Sequence, residues 1–218
     1  MHVAHHELTV QAAYDLVAAD YAELLADELG RKPFDRAVLG AFAELVRVGG
    51  PGPVGDLGCG PGRVTAHLHD LGLEPFGIDR SSAMVEVARA SYPDLGFVRG
   101  TLAALPLASA SLAGAVAWYS IIHTPPPLQP AVFAELARVL RPGGCLLLAF
   151  QVGDERVHLE QAYGHILSLD AYRLPTARVA AWAAEAGLDV VAELTRAPAD
   201  GEAQPQAFLV VRRGELPA

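Results

Sequence analysis

The chain carries little positive charge. Of its 218 residues, sixteen are lysine or arginine, Lys32 is the only lysine, and the net charge at pH 7 is −9. The cationic residues are scattered, and an acidic surface repels phosphate backbones, so we expect no nucleic-acid partner. No apolar run approaches the roughly 18 residues of a membrane span, and the first ten residues lack the pattern of a signal peptide. We therefore expect a cytoplasmic protein with no membrane partner.

Cysteine is also scarce. Cys59 and Cys145 are the only two, and both lie in segments that predict burial, so we expect reduced thiols and no disulfide. Histidines 2, 5 and 6 have no cysteine or carboxylate partners at ligand spacing, which predicts a solvated terminus and no metal site. Hydrophobic residues make up 52% of the chain and charged residues 19%. This composition and length predict one folded domain over residues 1–218.

From residue 53 onward, short apolar runs alternate with helical patterns. Such alternation is typical of a parallel sheet with crossover helices. The last two apolar runs are joined by a polar turn too short for a helix, so they must be antiparallel neighbours. We predict an α/β fold: a doubly wound, Rossmann-like sheet of seven mostly parallel strands whose last strand is antiparallel.

The predicted fold divides the chain into four parts. They are an amino-terminal helical cap (1–50), a ligand-binding core (51–150), an insertion on the substrate side (151–174), and a carboxyl-terminal helix with a strand pair (175–218). The cap contains two amphipathic helices, at 7–29 and 33–48. We expect them to form a lid across the ligand edge of the sheet; packing against the side of the sheet is the alternative.

Residues 54–63, VGDLGCGPGR, run from a predicted strand through a loop into a helix, which is where open α/β sheets bind nucleotides. A P-loop is excluded because Gly60 is followed by proline where lysine is required. A dinucleotide fingerprint counted from Gly58 is weakened because Arg63 stands in place of its last glycine. What remains is a loop with glycine at every second position, ending at Gly62.

The next strand ends at Asp79, twenty-one residues after Gly58. In doubly wound folds an acidic residue about 20 positions past the glycine loop accepts hydrogen bonds from ribose hydroxyls. The spacing therefore predicts a ligand that contains a ribose. The alternative is that Asp79 only caps the following helix.

Four segments in this order resemble the class I S-adenosylmethionine (SAM)-dependent methyltransferases of the small UbiE-like type. They are DLGCGPG, FGIDRSSAMVEVA, LPLASASLAGAV and FAELARVLRPGGCLLLAF, and the resemblance covers about residues 54–150. It implies SAM as cofactor and S-adenosylhomocysteine (SAH) as product. It also implies that Asp56 lies near the amino end of the cofactor and that Asp79 accepts both ribose hydroxyls. The full cofactor-binding set that we expect is Asp56, Gly58, Cys59, Gly60, Gly62, Asp79, Arg80, Thr101, Leu102, Ala103 and Tyr119.

The chain departs from this family after the third strand. Most relatives have an acidic residue there that contacts the adenine amine, and this sequence has Thr101. We expect Thr101, or the backbone around Leu102 and Ala103, to hold the adenine.

His123 is the candidate general base. It follows the fourth predicted strand, at the carboxyl edge where open sheets bind ligands. An unperturbed histidine has a pKa near 6.5, which suits proton abstraction from an acceptor. The alternative is a histidine that packs, or that bonds to cofactor or backbone.

Other polar groups are candidates for the acceptor site. Tyr14 and Tyr21 are seven residues apart and share a helical face, where they line a pocket or pack in the core. The insertion is where relatives carry substrate-recognition segments, and its candidates are His158, Tyr163, His165 and Arg173. Its carboxylates suit a cationic amine, although a charge run is more often a solvated face.

The activity we expect is methyl transfer from SAM to a nitrogen or oxygen of a small-molecule acceptor, and transfer to carbon is left open. Methylation of a peptide or protein terminus and a non-catalytic SAM-binding regulatory role are the alternatives. A nicotinamide oxidoreductase is disfavoured by Arg63. The expected oligomeric state is a monomer or homodimer.

Overall fold

The computed structural model describes residues 2–199 and 201–214, with side chains from residue 8 onward. The side chains of histidines 2, 5 and 6 therefore lie outside the described part. In chain order the elements are α1 (His2–Leu25), α2 (Glu28–Arg31), α3 (Pro33–Val48), β1 (Pro53–Leu57), α4 (Arg63–Asp70), β2 (Glu74–Asp79), α5 (Ser82–Ser91), β3 (Gly96–Arg99), β4 (Leu112–Trp118), α6 (Gln129–Val139), β5 (Leu140–Gln151), β6 (Arg156–Ala162), β7 (His165–Tyr172), α7 (Thr176–Glu185), β8 (Leu188–Arg196) and β9 (Gln206–Arg213).

Seven strands form one sheet in the order β3-β2-β1-β4-β5-β9-β8. Strands β1 to β5 pair in parallel, and β9 is antiparallel to both of its neighbours, β5 and β8. The prediction of a mostly parallel seven-stranded sheet with an antiparallel last strand is confirmed. The strand order reverses between β1 and β4, and that point is where ligands bind in sheets of this kind.

Helices cover both faces of the central strands. Every residue of β4 is buried, as expected for a strand with both faces packed. One face packs against α6 and α7, through a core that includes Phe133 and Trp182. The other face packs against α3, where a Cβ added at Gly114 would stand 2.7 Å from Val46 Cγ2 and 3.0 Å from Phe42 Cζ. Glycine in β4 therefore lets α3 approach the sheet closely.

The two long amino-terminal helices lie in different places. Helix α1 packs against α5 and β7 and contributes side chains to the cavity at the ligand edge, so its position is that of the expected lid. Helix α3 instead packs on a face of the sheet, because its Leu39, Phe42 and Ala43 are fully buried there. The alternative, packing against the sheet, therefore holds for the second helix.

The insertion at 151–174 contains a two-stranded antiparallel hairpin, β6–β7, which was not predicted. Tyr163 and Gly164 form its turn, with φ angles of 54° and 80°. Two successive positive φ angles are typical of a tight hairpin turn. One face of the hairpin carries Leu159, Leu167 and Leu169 against α1. None of the described helices is long and apolar enough to cross a membrane.

Candidate active site

A cavity opens at the carboxyl ends of β1, β2 and β4, beneath α1. It encloses about 1060 Å³, including the part that is open to solvent. Most of its wall is apolar and a few polar groups converge on it, which is typical of a small-molecule or cofactor pocket. Its walls are formed by Val10, Tyr14, Tyr21, Gly58, Gly60, Ile78, Asp79, Arg80, Met84, Gly100, Thr101, Leu102, Ala103, Trp118, Tyr119, Ser120, His123, Thr124, Pro125, Leu128, Ala131 and Val132.

The three alternate glycines of the loop serve different purposes. All have positive φ angles, 85° at Gly58, 53° at Gly60 and 86° at Gly62, which glycine adopts at little cost. An added Cβ would stand 2.2 Å from Ser120 Cβ at Gly58 and 2.8 Å from Phe97 Cζ at Gly62. At Gly60, which lines the cavity, the nearest atom is Tyr21 Cε1 at 3.9 Å. Internal packing therefore requires the first and last glycine, and only Gly60 leaves room on the cavity side.

Asp79 lies at the cavity wall where the sequence placed it. Its Oδ2 accepts a hydrogen bond from the backbone N–H of Gly60 at 2.8 Å, and its Oδ1 accepts one from the N–H of Ser81 at 2.8 Å. Burial raises the pKa of this carboxyl, although both backbone bonds favour its charged form. A carboxylate offers about four lone-pair sites, so two backbone bonds leave acceptor capacity on both oxygens. Asp79 thus ties the glycine loop to β2 and can still accept hydrogen bonds from a ligand.

Three residues of the predicted cofactor set, Asp56, Cys59 and Gly62, do not line the cavity. Asp56 is fully buried, and its Oδ2 accepts a hydrogen bond from Thr65 Oγ1 at 2.6 Å. Burial raises its pKa to about 7, and its Oδ1 has no hydrogen-bond partner among the described residues. Cys59 is buried against Phe97. Contact of Asp56, Cys59 or Gly62 with a cofactor stays a prediction.

The segment expected to hold adenine lines the cavity as a group. Thr101, Leu102 and Ala103 all form part of the wall, beside Arg80. The Arg80 guanidinium donates to Thr101 Oγ1 at 2.9 Å. The threonine at the family's acidic position therefore fixes an arginine at the cavity wall.

A chain of hydrogen bonds ends at the cavity in Tyr14. The Tyr14 hydroxyl lies 2.6 Å from His123 Nε2, and His123 Nδ1 lies 2.9 Å from the backbone oxygen of Asp170 in β7. A carbonyl oxygen only accepts, so Nδ1 carries a proton and Nε2 of the neutral ring accepts from the tyrosine. Burial raises the pKa of Tyr14 well above its ordinary value, which keeps the phenol protonated. His123 therefore faces the cavity with its basic nitrogen capped by Tyr14.

Tyr119, which the sequence placed in the cofactor set, lines the cavity at the end of β4. Its φ angle is 54°, a conformation that is strained for a residue with a side chain. Its hydroxyl is buried with no hydrogen-bond partner among the described residues. Such strain is common at functional sites, and here it accompanies the turn that carries Ser120 and His123 to the cavity.

The structure does not bring the polar candidates of the insertion to the cavity. Strand alternation puts His158 and Asp170 on the hairpin face opposite the leucines, and their side chains bond at 2.8 Å. His165 instead pairs with Asp20 of α1 at 2.7 Å. Arg173 pairs with Glu155.

Tyr163 stacks edge-on against Tyr21 at 4.9 Å between ring centroids and is not part of the cavity wall. Of the acceptor-site candidates, only Tyr14 and Tyr21 are in the wall.

Several wall residues were not singled out from the sequence. Ser120, Thr124 and Pro125 flank His123, and their position just after β4 was a signal that could have identified them. The sequence gives no such signal for Leu128, Ala131 and Val132, because apolar residues show the same sequence pattern in a cavity wall and in a packed core.

Comparison with known proteins agrees with this geometry. Residues 54–144 match the methyltransferase domain family. This match, with the relatives that follow, identifies residues 54–144 as a class I SAM-dependent methyltransferase domain. It is 35% identical over 119 residues to an uncharacterised methyltransferase of Mycobacterium tuberculosis, a match that covers 53% of this chain and 46% of that protein. It is 33% identical over 159 residues to a demethylmenaquinone methyltransferase of Beutenbergia cavernae, which covers 72% of this chain and 61% of that protein.

The chain thus spans only about half the length of the first of these methyltransferases. Its fold is similar to that of the magnesium protoporphyrin IX methyltransferase of Synechocystis, whose crystal structure contains bound SAM. That likeness has a TM-score of 0.72 at 18% identity and covers 96% of this chain and 97% of that one.

The cavity fits the cofactor of this methyltransferase family. Asp79 presents acceptor capacity, Gly60 leaves open space on the cavity side, and a wall segment beginning at Thr101 lies where adenine is expected. No group of three or more potential metal ligands occurs among the described residues.

Proposed function

We propose that this protein transfers the methyl group of SAM to a nitrogen or oxygen of a small-molecule acceptor bound beneath α1. The observation that carries the proposal is the cavity itself. It holds the fixed carboxylate of Asp79 beside Gly60 and the Tyr14–His123 pair within one enclosure.

The residues of the cavity divide the binding task. Asp79 would accept hydrogen bonds from the ribose hydroxyls with the lone pairs that the backbone leaves available. Thr101, Leu102 and Ala103 would hold the adenine. When bound, the cofactor supplies a methyl group on a sulfonium, which is already a good electrophile.

Because the electrophile is supplied by the cofactor, the main contribution of the chain is to align the acceptor. Holding two reactants in line removes a large entropic part of the barrier. Tyr14 and His123 would in addition take the proton of an acceptor that arrives protonated. Asp170 would keep His123 in the tautomer whose Nε2 accepts.

The helix above the cavity favours a small acceptor over a peptide or protein terminus. Methylation of a chain terminus would need an open groove, and α1 crosses this site with Val10, Tyr14 and Tyr21 in the cavity wall. The Beutenbergia relative, a demethylmenaquinone methyltransferase, supports a small-molecule acceptor. Cytoplasmic location and oligomeric state stay predictions.

The test is a calorimetric titration of SAH and, separately, of NADH into the wild-type protein and into Asp79→Ala. A hydrogen bond to a charged group contributes roughly 1.5 to 3 kcal/mol, so the variant should bind SAH about tenfold to a hundredfold more weakly. Asp70→Ala, at an exposed aspartate away from the cavity, is the matched control and should bind SAH as the wild type does. Binding of NADH alone, or of neither ligand, would refute the proposal.

A second measurement separates an enzyme from a SAM-binding regulatory protein. Mass detection of added methyl groups in a mixture of candidate acceptors should show a product that depends on SAM. SAH binding without any methylated product would favour the regulatory role.

A further inference from the structure

The cavity contains few charges, and this fact bears on the acceptor. Among the wall residues in the described part of the chain, only Asp79 and Arg80 carry a formal charge. Asp79 accepts from two backbone N–H groups, and Arg80 donates to Thr101. The other described wall residues are apolar or glycine, or carry a neutral hydroxyl, indole or imidazole group.

A charged acceptor would find no free counter-ion in this wall. Burying an unpaired carboxylate or ammonium group is far more costly than burying a neutral molecule. The charge of Arg80 already acts on Asp79, whose pKa it lowers, so a carboxylate acceptor would need an arginine or lysine beyond Arg80. An ammonium acceptor would need a carboxylate beyond Asp79, which the ribose engages under the proposed function. The wall therefore favours an acceptor that is uncharged and largely apolar.

Among the described wall residues, one pair can pass on a proton: the phenol of Tyr14, which is hydrogen-bonded to the imidazole of His123. Tyr14 and His123 meet with their rings at 76° and their centroids 5.2 Å apart, and the hydroxyl donates to Nε2. Tyr14 comes from α1, His123 from a short helical turn after β4, and the carbonyl that orients His123 from β7. This series of hydrogen bonds therefore forms only when α1 and the hairpin β6–β7 are both in place.

The proton affinity of the Tyr14–His123 pair limits which kind of acceptor group can give up its proton to it. Proton transfer is efficient when donor and acceptor have similar proton affinities. Tyr14 is itself a phenol, and an acceptor phenol bound beside it would share the burial that raises the pKa of Tyr14, so the two groups are well matched. An alkyl hydroxyl is far less acidic than a phenol. An alkylamine would first have to enter as a cation or lose its proton outside.

We propose that the acceptor is an uncharged, largely apolar molecule with a phenol-type hydroxyl, and that Tyr14 relays the proton of that hydroxyl to His123. This inference rests on the proposed function.

In the transfer, the O–H bond of the acceptor breaks, and its proton passes to Tyr14 Oη while the proton of Tyr14 passes to His123 Nε2. An electron pair of the acceptor oxygen forms the new O–C bond, and the pair of the broken C–S bond stays on sulfur. The positive charge of the sulfonium is matched afterwards by that of the imidazolium. Tyr14 is thus a catalytic residue that touches the acceptor, and His123 acts through it.

The first arm of the test measures binding alone. We would titrate 2-naphthol and 2-naphthoate, which share one ring system and differ in charge, into the SAH complex of the wild-type protein. The neutral naphthol should bind at least about tenfold more tightly than the carboxylate. If the naphthoate binds equally well or better, or if neither probe binds, the inference about the acceptor is overturned.

The second arm measures methyl transfer from SAM to 2-naphthol in Tyr14→Phe and in His123→Gln. Each variant should lower kcat by about a hundredfold or more, because loss of either group breaks the relay. SAH affinity should stay within about twofold in both, which separates a catalytic from a structural effect. Tyr172→Phe, at a hairpin phenol outside the cavity wall, is the matched control and should keep the wild-type rate.

The outcomes distinguish the two proposals. Failure of the wild-type protein to bind SAH would defeat the proposed function itself. With SAH bound, a full rate in Tyr14→Phe combined with a loss in His123→Gln would overturn the relay and leave His123 as a direct base. Binding of 2-naphthol without any transfer would overturn it as well.

Discussion

Only the short helix α2 separates α1 from α3 in the chain, and the two longer helices differ in how much of their contact with the rest of the molecule is apolar. In α3, Leu39, Phe42 and Ala43 are fully buried against the sheet. In α1, the side chains of Leu16 and Leu24 are more than half exposed.

Helix α1 buries a small apolar face, formed by Val10, Ala13, Val17 and Ala18, and polar contacts add to it. Asp15 Oδ1 accepts from Ser81 Oγ at 2.6 Å and from the N–H of Ala83 at 3.1 Å, at the start of α5. Asp20 pairs with His165 of the hairpin.

The difference separates stability from access to the site. Burial of apolar surface is the main favourable contribution to folding, so α3 belongs to the core on which the sheet depends. Hydrogen bonds contribute less on balance, because water replaces them when they open. The contacts of α1 therefore suit a cover that can open for ligand exchange, and they lie beside the residues that would bind the ligand.

The largest expected effect is a loss of stability on substitution in the core helix α3. Phe42→Ala in α3 removes a fully buried ring and should lower the free energy of unfolding by about 3 to 5 kcal/mol. Denaturant unfolding measures this change. Leu16→Ala on the outer face of α1 is the control and should change stability by less than about 0.5 kcal/mol. Equal losses in the two variants would contradict the division into core helix and cover.

The sequence alone could not separate the two helices. The apolar face is well defined in α3 and weak in α1. Such periodicity shows whether a helix buries one face, but it does not show what that face meets. The hairpin β6–β7 was missed for a related reason. Its leucines are apolar only on the face that meets α1, so the segment reads as a polar insertion until the partner is known.

Local signals predicted the sheet and Asp79 well. The glycine loop, the strand ends and the spacing from Gly58 to Asp79 are short-range features, set by the backbone of one βαβ unit. The pairing of Tyr14 with His123 joins residues 109 positions apart and follows from packing that no short motif records. The sequence also does not show why positions 58 and 62 require glycine. An added Cβ would collide with Ser120 at Gly58 and with Phe97 at Gly62, and both contacts are distant in the sequence.

A smaller effect tests whether α1 acts as a cover over the cavity. Asp15→Ala removes the acceptor of two hydrogen bonds at the start of α5, which resembles the loss of a helix cap and should cost about 1 kcal/mol. We expect SAH to dissociate several times faster because α1 opens more readily. Stopped-flow displacement of SAH measures the rate, with Leu16→Ala as the control. An unchanged dissociation rate would show that α1 does not govern release.

The smallest expected effect is on how the free energy of unfolding depends on pH, and it compares one aspartate of α1 with one of α3. Burial acts to raise the pKa of Asp15, but hydrogen bonds from Ser81 and Ala83 outweigh it, so the pKa is lowered. Burial also raises the pKa of Asp35 in α3, and there it outweighs the guanidinium of Arg196 at 3.1 Å.

The two aspartates should therefore affect stability with opposite signs. A lowered folded-state pKa gives a contribution that is present above about pH 4 and is lost as the pH falls through the folded value. A raised one gives a contribution that is present below about pH 4 and is lost as the pH rises through the folded value. Relative to wild type, Asp15→Asn should become less destabilising toward low pH, whereas Asp35→Asn should become less destabilising toward neutral pH. Urea unfolding at several pH values measures both slopes, and slopes of the same sign would mean that the two carboxyls share one kind of environment.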